Sequence, residues 1–514
     1  MNVSDEHTKS LWMRTEVAPD APAIAGEQRC DTVIVGSGIA GLSAAHELVK
    51  AGQSVIVVDR GPIAGGMTAR TTAHLTSLCD DGNSTLAKLR GEDVARLFHE
   101  SQAAAIDSIE ANVRAYGIEC EFRRLDGYLF PAMGMKSAEA REIVNEDYKT
   151  ARQLGMDVEK VKGVPLAGFE EAPTLCYRQQ ATFHPLKYLR ALIAEITRER
   201  GRVFANSPVA DIEEKDGRIT VKTESGATIL AERAIIATNG PIYDLFELHT
   251  KMAPYRTFAM AFTIPRGSLP DALYWDMADP YHYVRLTAGP GTVDYLIVGG
   301  ADHKTGEAND GDVRFEAIEA WMRQLVPALG KEVHRWSGQV MDTIDYCAFI
   351  GRNPGNTNIF VATGDSGQGI THGALAGLLL KDLIVAGQSP WEQVYDPARK
   401  PPKSALNYVK ENVTALKSFA EYVTPGEIAS LDELKPGEGA IYRSGLSKLA
   451  VYRNEAGKVS AHSPVCTHVG CHVHWNSTEK CWDCPCHGSH FAPDGSVLNG
   501  PATKPLAKAD VPSG

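Results

Sequence analysis

The sequence predicts an α/β part near the N-terminus, an α+β part with antiparallel strands in the middle, and a small all-β part at the C-terminus. An apolar run at Asp31–Val35 passes through a glycine turn into a helical pattern that ends near Ala51, as expected for a strand, a turn and a helix. Residues 281–300 alternate like an antiparallel strand, and 87–116 have helical spacing. Short β-like segments such as 439–442 follow near the C-terminus.

The glycine turn has the spacing of a dinucleotide-binding, Rossmann-like fold. Gly36 permits the tight turn, Gly38 lets the backbone approach a pyrophosphate, and Gly41 lets helix and strand pack closely. A second apolar strand, 54–58, ends at Asp59, where a carboxylate accepts hydrogen bonds from the adenosine ribose. The pattern predicts a bound dinucleotide with an unphosphorylated ribose; the alternative is a glycine-rich turn that binds nothing.

A later strand and helix favour FAD as that dinucleotide. Ala234–Gly240 reads as an apolar strand that ends in small residues, and 358–365 leads into a helix over 374–386. This second segment resembles the closing FAD motif of flavoproteins, in which the aspartate, here Asp365 after Gly364, contacts the ribityl chain and the helix start faces the flavin pyrimidine. No second Gly-x-Gly-x-x-Gly follows, which favours a reductant other than a nicotinamide.

Two Cys-His boxes near the C-terminus predict a Rieske [2Fe–2S] centre. Cys466 and His468 form the first box, and Cys484 and His487 form the second. Two thiolates on one iron and two neutral imidazoles on the other make reduction easier than in an all-Cys cluster. The alternative is a structural zinc site, although the spacing differs from that of zinc ribbons and fingers.

The boxes resemble those of cytochrome bc-type Rieske proteins, and this resemblance implies the ligand assignment above. It also implies a disulfide between Cys471 and Cys486 and a proline loop at 500–502 that covers the cluster. In those proteins a Ser and a Tyr donate hydrogen bonds to the cluster sulfurs. Ser489 is kept here, whereas Phe491 stands at the Tyr position, so we expect a reduction potential below that of the high-potential respiratory proteins.

Residues 30–395 resemble the D-amino-acid, glycine and sarcosine oxidase group, the DAO superfamily. Further points of resemblance are 65–72, with Arg70 as a candidate FAD contact, and Asp345 with 350–351. The whole chain resembles bacterial fusions of a DAO-type oxidoreductase with a Rieske domain. The resemblance implies a Rossmann-like FAD-binding domain interleaved with an α+β antiparallel-sheet substrate domain, followed by a small all-β Rieske domain.

The expected boundaries follow from that resemblance and from turn-rich segments. They are an N-terminal extension (1–29), FAD-binding segments (about 30–80, 180–245 and 345–395), substrate-domain segments (about 81–179 and 246–344), a linker with a helix (396–424) and the Rieske domain (425–514).

Composition and charge favour a cytoplasmic protein. The net charge of −12 disfavours nucleic acid and anionic membranes as partners. The polar N-terminus does not read as a signal peptide, and no apolar run reaches the ~18 residues of a membrane span. Five of the ten cysteines are scattered singles, unlike the framework of a secreted disulfide-rich protein.

The DAO resemblance implies hydride transfer to FAD from the carbon beside an amine nitrogen. Family members that act on amino acids hold the substrate carboxylate with Arg and Tyr. We predict Tyr283 and Arg285 for this role, with Tyr255 and Arg256 as a second cluster; the alternative is that these are ordinary sheet residues. Glycine-oxidase-like enzymes also carry an Arg shortly before the Asp345 position, which this chain lacks, so another amine or an alcohol stays open as the substrate.

Several other residues near the motifs receive no role. His74, His282 and His372 could reach the flavin, but a lone histidine near a pocket is more often a core residue, so noncovalent FAD is expected. Cys481, His472, His474 and His490 lie beside the cluster boxes and are expected to be ordinary surface residues.

The fusion predicts a dehydrogenase that couples a two-electron oxidation to a one-electron carrier such as a ferredoxin, a cytochrome or a quinone system. Electron flow in the reverse direction, from cluster to flavin, and a non-catalytic electron-transfer or redox-sensing protein are the alternatives. A Rieske oxygenase is disfavoured because we find no suitable His pair for a mononuclear iron outside the cluster boxes.

Overall fold

The computed structural model describes residues 2–243, 248–400, 424–445 and 447–511. The predicted linker helix, at 404–422, lies outside these residues. The α-helices described are α1 (Ile39–Lys50), α2 (Asn83–Arg90), α3 (Glu92–Tyr116), α4 (Ser137–Gln153), α5 (Pro185–Arg198), α6 (Gly311–Leu325), α7 (Gly369–Val385) and α8 (Glu392–Tyr395).

The strands of the first two domains are β1 (Glu27–Val35), β2 (Val55–Val58), β3 (His74–Leu75), β4 (Arg123–Phe130), β5 (Val158–Lys162), β6 (Pro173–Thr182), β7 (Arg202–Phe204), β8 (Val209–Lys215), β9 (Arg218–Thr223), β10 (Thr228–Asn239), β11 (Met252–Pro265), β12 (Leu273–Asp276), β13 (Tyr283–Ala288), β14 (Val293–Lys304), β15 (Glu332–Thr343), β16 (Phe349–Arg352) and β17 (Ile359–Thr363). Those of the C-terminal domain are β18 (Glu438–Ser444), β19 (Ser447–Arg453), β20 (Val459–His462), β21 (His474–Asn476), β22 (Cys481–Asp483), β23 (His490–Phe491), β24 (Val497–Asn499) and β25 (Lys508–Ala509).

The first sheet is the Rossmann-like sheet that the glycine turn predicts. Its order is β16-β17-β10-β1-β2-β7, in which the strands from β17 to β7 run parallel, and β9 and β8 extend it as an antiparallel pair. All four residues of β2 are apolar and buried, as expected for a parallel strand covered on both faces. Helices α1 and α7 pack against each other beside this sheet.

The second sheet is mostly antiparallel and has the order β15-β11-β14-β13-β12-β4-β6-β3, with β5 paired to β6. The alternating segment at 281–300 forms parts of two paired strands, β13 and β14, rather than one strand. The helical segment at 87–116 is likewise divided, because Gly91 adopts a φ of +92° between α2 and α3. Glycine adopts this left-handed conformation without the steric penalty that other residues pay.

The C-terminal domain consists of two antiparallel four-stranded sheets, β18-β19-β20-β25 and β21-β22-β23-β24. Both predicted cluster loops adjoin the second of these sheets. The first loop precedes β21, and the second joins β22 to β23. The predicted fold class is thus confirmed. In the described part of the chain, the structure contains no helix long and apolar enough to cross a membrane.

The N-terminal segment packs into the molecule although its sequence is polar. Val3 and Trp12 are buried, and the Trp12 indole Nε1 donates a hydrogen bond to the Thr71 carbonyl at 2.7 Å. Glu6 is also fully buried and meets charged side chains from the other domains.

Glu6 belongs to a set of buried charged and polar groups that joins the three parts of the chain, and we call this set the docking cluster. Arg70 lies 3.0 Å from Glu479, and Arg256 lies 2.9 Å from Asp483. The docking cluster consists of Glu6 in the N-terminal segment, Arg70 and Arg256 in the first two domains, and Glu479, Asp483 and His490 in the C-terminal domain.

Glu6 is the anion that all three parts share. Its carboxylate lies 3.4 Å from Arg70 and 2.7 Å from His490 Nδ1. Burial alone would raise the pKa of Glu6, but Arg70, His490 and Arg256 outweigh it and lower the pKa from 4.5 to about 2. The ionised form therefore stabilises the folded state above pH 4.5, and this contribution is lost as the pH falls towards 2.

The Glu6→Gln variant should therefore be strongly destabilised near pH 7, by about 3–5 kcal/mol, because it removes the buried anion that faces both Arg70 and Arg256 and leaves their charges only partly balanced. Urea unfolding followed by tryptophan fluorescence measures this loss. The variant should also lose less stability between pH 4.5 and 2 than the parent protein. Glu27→Gln, which removes only an exposed pair with Arg29, is the control and should change stability by less than ~1 kcal/mol. Equal losses in both variants would contradict this role of Glu6.

Candidate active site and cluster-binding site

The three glycines of the first turn have the separate uses that the sequence predicts. Gly36 has a φ of +107°, and a Cβ there would lie 2.2 Å from the Ala237 carbonyl oxygen. A Cβ on Gly41 would lie 2.0 Å from the Gly36 carbonyl oxygen. A Cβ on Gly38 would contact only the Thr68 hydroxyl, at 3.2 Å. The first and third glycines thus allow close packing, and the second keeps the backbone open to a cavity at the start of α1.

Asp59 lies at the end of β2, on the wall of the same cavity. Its carboxylate accepts hydrogen bonds from the Ser37 backbone N–H at 2.9 Å and the Ser37 hydroxyl at 2.6 Å, and from the Gly61 N–H at 3.1 Å. These bonds hold the carboxylate beside the glycine turn, where the ribose of a bound dinucleotide is expected.

The second FAD motif forms the opposite wall. Gly364 has a φ of +72°, and a Cβ there would lie 2.5 Å from Thr343. Asp365 accepts a hydrogen bond from the Met341 N–H at 2.8 Å, and burial raises its pKa to about 6. Helix α7 begins four residues later, with its N-terminus at the cavity. The cavity therefore receives two helix N-termini, from α1 and α7, which suits the pyrophosphate and the flavin pyrimidine of FAD.

The cavity is lined by three parts of the chain. The N-terminal segment contributes Asn2 and Val3, and the C-terminal domain contributes Leu498, Asn499, Gly500, Ala502 and Thr503. The proline loop that is predicted to cover the cluster therefore also faces the dinucleotide cavity. A Cβ on Gly240, at the end of the β10 strand segment, would lie 3.2 Å from the Gly500 carbonyl oxygen.

The two cluster loops have matching backbone structures. In the first, the Cys466 N–H donates to the Cys471 carbonyl at 2.8 Å and the Gly470 N–H donates to the Cys466 carbonyl at 3.0 Å. In the second, the Cys484 N–H donates to Ser489 at 2.9 Å and the Gly488 N–H donates to Cys484 at 3.0 Å. The predicted disulfide between Cys471 and Cys486 joins the two loops.

The four predicted ligands face one another across these loops. The thiols of Cys466 and Cys484 are buried in the same apolar cluster, and the His468 and His487 ring centroids lie 4.9 Å apart. Both ring nitrogens of His468 and Nδ1 of His487 are buried without a hydrogen-bond partner in the described structure. Within the described ranges, no three His, Cys, Asp or Glu side chains converge as a site for a single ion. Two Cys and two His arranged as pairs fit a binuclear cluster.

A third histidine, His249, packs against both histidine ligands. Its ring centroid lies 4.7 Å from that of His468 and 5.3 Å from that of His487. His249 is buried and belongs to the turn before β11, a strand of the second sheet. Sequence reasoning missed this contact because His249 lies more than two hundred residues from the cluster boxes, with no local motif around it.

Arg285 does not reach the cavity, contrary to the sequence prediction. Its guanidinium is fully buried and donates to the backbone carbonyls of Ala73 at 2.8 Å and of Thr72 and Leu286 at 3.2 Å. Burial lowers its pKa to about 9. Arg285 is not among the described residues that line the cavity, so its side chain supports the sheet instead of binding a substrate carboxylate. Tyr283, its predicted partner, does line the cavity.

Arg70 was expected to contact FAD and Arg256 was a candidate for binding the substrate, but both guanidinium groups form ion pairs in the docking cluster. Arg70 lines the cavity, but all three of its guanidinium nitrogens donate to Val3, Thr8, Ser337 or Glu479. No nitrogen of Arg70 is left for a dinucleotide.

The remaining residues of uncertain role are divided between the cavity and the interior. His74 and His372 line the cavity. His282 lies elsewhere, with its Nδ1 2.9 Å from Asp276 and its ring stacked on Trp321. His490, expected to be a surface residue, is fully buried in the docking cluster.

Gln339 stands shortly before Asp345, in the stretch where an arginine is expected from the sequence resemblance. Its Nε2 donates to the Gly488 carbonyl at 3.0 Å, and its Oε1 lies 2.7 Å from His490 Nε2. A Cβ on Gly488 would lie 2.5 Å from this amide. Gln339 thus lines the cavity and at the same time holds the second cluster loop.

Comparison with known proteins agrees with this arrangement. The model of the FAD dependent oxidoreductase family, DAO, matches residues 31–383, and that of the Rieske [2Fe-2S] domain matches residues 424–510. The chain belongs to the DAO family of FAD-dependent oxidoreductases and carries a C-terminal Rieske domain. It is an oxidoreductase whose cofactors are FAD and a [2Fe–2S] cluster, and the Rieske domain implies a partner that exchanges single electrons.

Three relatives illustrate the range of similarity. A Rieske 2Fe-2S iron-sulfur protein of Bacillus subtilis strain 168, YhfW, is 32% identical and covers 98% of both chains. Gamma-glutamylputrescine oxidoreductase of Escherichia coli K12 is 25% identical over 69% of this chain and 83% of its own. Among solved structures, glycine oxidase from Geobacillus kaustophilus matches with a TM-score of 0.60 and 18% identity, over 73% of this chain and 99% of its own.

Phe491 provides a test of how the protein sets the cluster potential. Its ring is fully buried in the same apolar cluster as Cys466 and Cys484. We expect Phe491→Tyr to raise the midpoint potential by about 60 mV, because a hydroxyl donor stabilises the more negative reduced cluster and ~1.4 kcal/mol corresponds to ~59 mV for one electron. Protein-film voltammetry measures the shift. Ser489→Ala should lower the potential. An unchanged potential in both variants would contradict the idea that hydroxyl donors at positions 489 and 491 set the cluster potential.

Proposed function

We propose that the protein is a dehydrogenase that oxidises an amine or amino-acid-like substrate and passes the electrons singly to an external carrier. The observation that carries this proposal is the shared wall of the cavity, in which the proline loop of the Rieske domain faces the FAD site. When both cofactors are bound, the electrons that FAD releases could pass to the cluster within one chain.

The protein's own residues would bind the substrate, orient it and exclude water. The part of the cavity next to the second sheet is lined by Thr257, Tyr281, Tyr283 and Trp336. When bound, FAD supplies hydride acceptance and the cluster supplies one-electron transfer. Overall, an amine would lose two electrons and two protons to become an imine, which water hydrolyses, and two molecules of a one-electron carrier would each gain one electron.

The names of the relatives support oxidation at an amine, but they refer to different compounds. Their names cover gamma-glutamylputrescine, glycine and, in a further solved structure of similar fold, L-proline. A carrier of the ferredoxin, cytochrome or quinone type would complete the reaction by taking electrons from the cluster.

Anaerobic reduction tests the proposal. We would add amines and amino acids to the purified holoenzyme and follow flavin bleaching and the Rieske EPR signal together. We expect that one class of compound, amines or amino acids, reduces both the flavin and the Rieske cluster. Reduction of the flavin only by a reduced carrier, through the cluster, would instead show that electrons flow inward.

A cluster-free variant separates the two half-reactions. Cys484→Ser removes a predicted cluster ligand, so substrate should still bleach the flavin while electron delivery to a one-electron carrier falls at least about 100-fold. Cys481→Ser is the matched control, because Cys481 is a buried, non-ligand cysteine of the adjacent strand whose Sγ lies 3.3 Å from Asp483. Equal delivery by the Cys484→Ser variant and the parent would contradict the proposed electron path.

A further inference from the structure

At its substrate end, the described lining of the cavity carries carboxylates and no arginine or lysine that is free to bind a ligand. Among the described residues that line the cavity, the arginines are Arg60 and Arg70, and no lysine is present. Arg60 directly follows Asp59 at the nucleotide end, and Arg70 is fully engaged in the docking cluster. Arg285 lies near His74, but it is not among the described lining residues and its guanidinium donates to the backbone carbonyls of Thr72 and Ala73. On the described wall, a substrate carboxylate would therefore find no free guanidinium or ammonium to neutralise it.

Asp80 and Asp302 are the carboxylates at this end. Asp80 accepts a hydrogen bond from the Tyr281 hydroxyl at 2.8 Å, and Asp302 lines the same cavity. The Asp302 Oδ1 is buried and has no hydrogen-bond partner in the described structure. Burial raises the pKa of Asp80 to about 7 and that of Asp302 to about 6. Each carboxylate would be stabilised by a positively charged ligand.

Aromatic rings surround the same space. The Tyr281 and Tyr283 ring centroids lie 5.6 Å apart, and the His74 ring meets that of Tyr283 edge-on at 5.6 Å. Burial and the nearby Arg285 lower the pKa of His74 to about 3, so this imidazole carries no positive charge near neutral pH. Electron-rich ring faces attract ammonium groups.

Two glycines hold the larger rings against the sheet. A Cβ on Gly299 would lie 2.4 Å from the Tyr283 ring, and a Cβ on Gly127 would lie 2.3 Å from the Trp275 ring. The rings therefore lie over backbone that carries no side chain, which leaves room beside them in the cavity. A side chain at either glycine would displace the ring that lies against it.

We infer that the substrate is an aliphatic amine that lacks a carboxylate beside the reacting carbon, with its ammonium group held between Asp80, Asp302 and the aromatic rings. This inference rests on the proposed function, since it names the substrate class for the same cavity. It replaces the sequence expectation of a carboxylate held by Tyr283 and Arg285. Tyr283 keeps a place in the site as one of the rings.

Pairs of compounds that differ only by the carboxylate test this inference on the holoenzyme. Pyrrolidine is compared with proline, and putrescine with ornithine. Binding is read from perturbation of the oxidised flavin spectrum, and turnover is read separately from anaerobic flavin bleaching. We expect the amine of at least one pair to bind at least about tenfold more tightly than its amino acid. Tighter binding of the amino acid in each pair, or no binding by any of the four, would overturn the inference.

Variants assign the effect to the carboxylates. Asp80→Asn and Asp302→Asn should each weaken binding of the amine about 10- to 100-fold while FAD content and the dithionite-reduced spectrum stay unchanged. Asp93→Asn is the control, because the Asp93 side chain is 90% exposed and is not among the described residues that line the cavity. Equal weakening in all three variants, or none in the first two, would contradict the role of these carboxylates.

The readouts separate this inference from the proposed function. Amine binding without reduction of either centre would uphold the preference of the cavity for amines and contradict the dehydrogenase. Preferential binding and oxidation of the amino acids would uphold the dehydrogenase and contradict the substrate class.

Discussion

The buried docking cluster is the interaction on which the rest of the structure depends. Moving charges out of water costs several kcal/mol per ion, so six buried charged and polar groups are tolerated only where each meets partners of suitable sign and geometry. Glu6 meets Arg70 and His490, and Arg256 meets Asp483. A separated Rieske domain would leave Glu479 and Asp483 without these partners. The cluster thus makes one relative placement of the three parts strongly preferred.

That placement gives the two redox sites a common boundary. Gln339 faces the FAD cavity and holds the second cluster loop through Gly488, while His249 packs against both histidine ligands. Gln339 also contacts His490, a member of the docking cluster, at 2.7 Å, so the boundary between the two sites adjoins the contact that docks the domains. The docking of the domains and the shared boundary of the two sites both depend on the close contact between β15, the turn before β11 and the cluster loops.

The docking cluster also determines which charged groups face the substrate end of the cavity. Arginines that a sequence comparison offers for substrate or cofactor binding are used elsewhere: Arg70 and Arg256 dock the domains, and Arg285 binds backbone carbonyls. What remains at the substrate end are the enclosed carboxylates of Asp80 and Asp302 beside aromatic rings. A site built in this way selects for positive charge, because an ion pair offsets the cost of burying an ionised carboxylate.

The sequence by itself determined the features that depend on neighbours in the chain. Gly36, Gly38 and Gly41 specify the turn because their backbone needs are local, and the paired Cys-His boxes specify the cluster because short loops carry both ligands of each box. It also indicated the fold class, since periodicity reflects which face of a strand or helix is buried.

Only the tertiary structure decided what distant residues do. Glu6 reads as a solvated acid in a polar N-terminus, and His490 as a spare residue beside a motif, until folding brings them within 2.7 Å of each other. Arg285 alternates with Tyr283 along β13, yet burial directs its guanidinium to backbone carbonyls. The charge and neighbours of a buried side chain depend on elements that are far apart in sequence, so no local pattern could have assigned these roles.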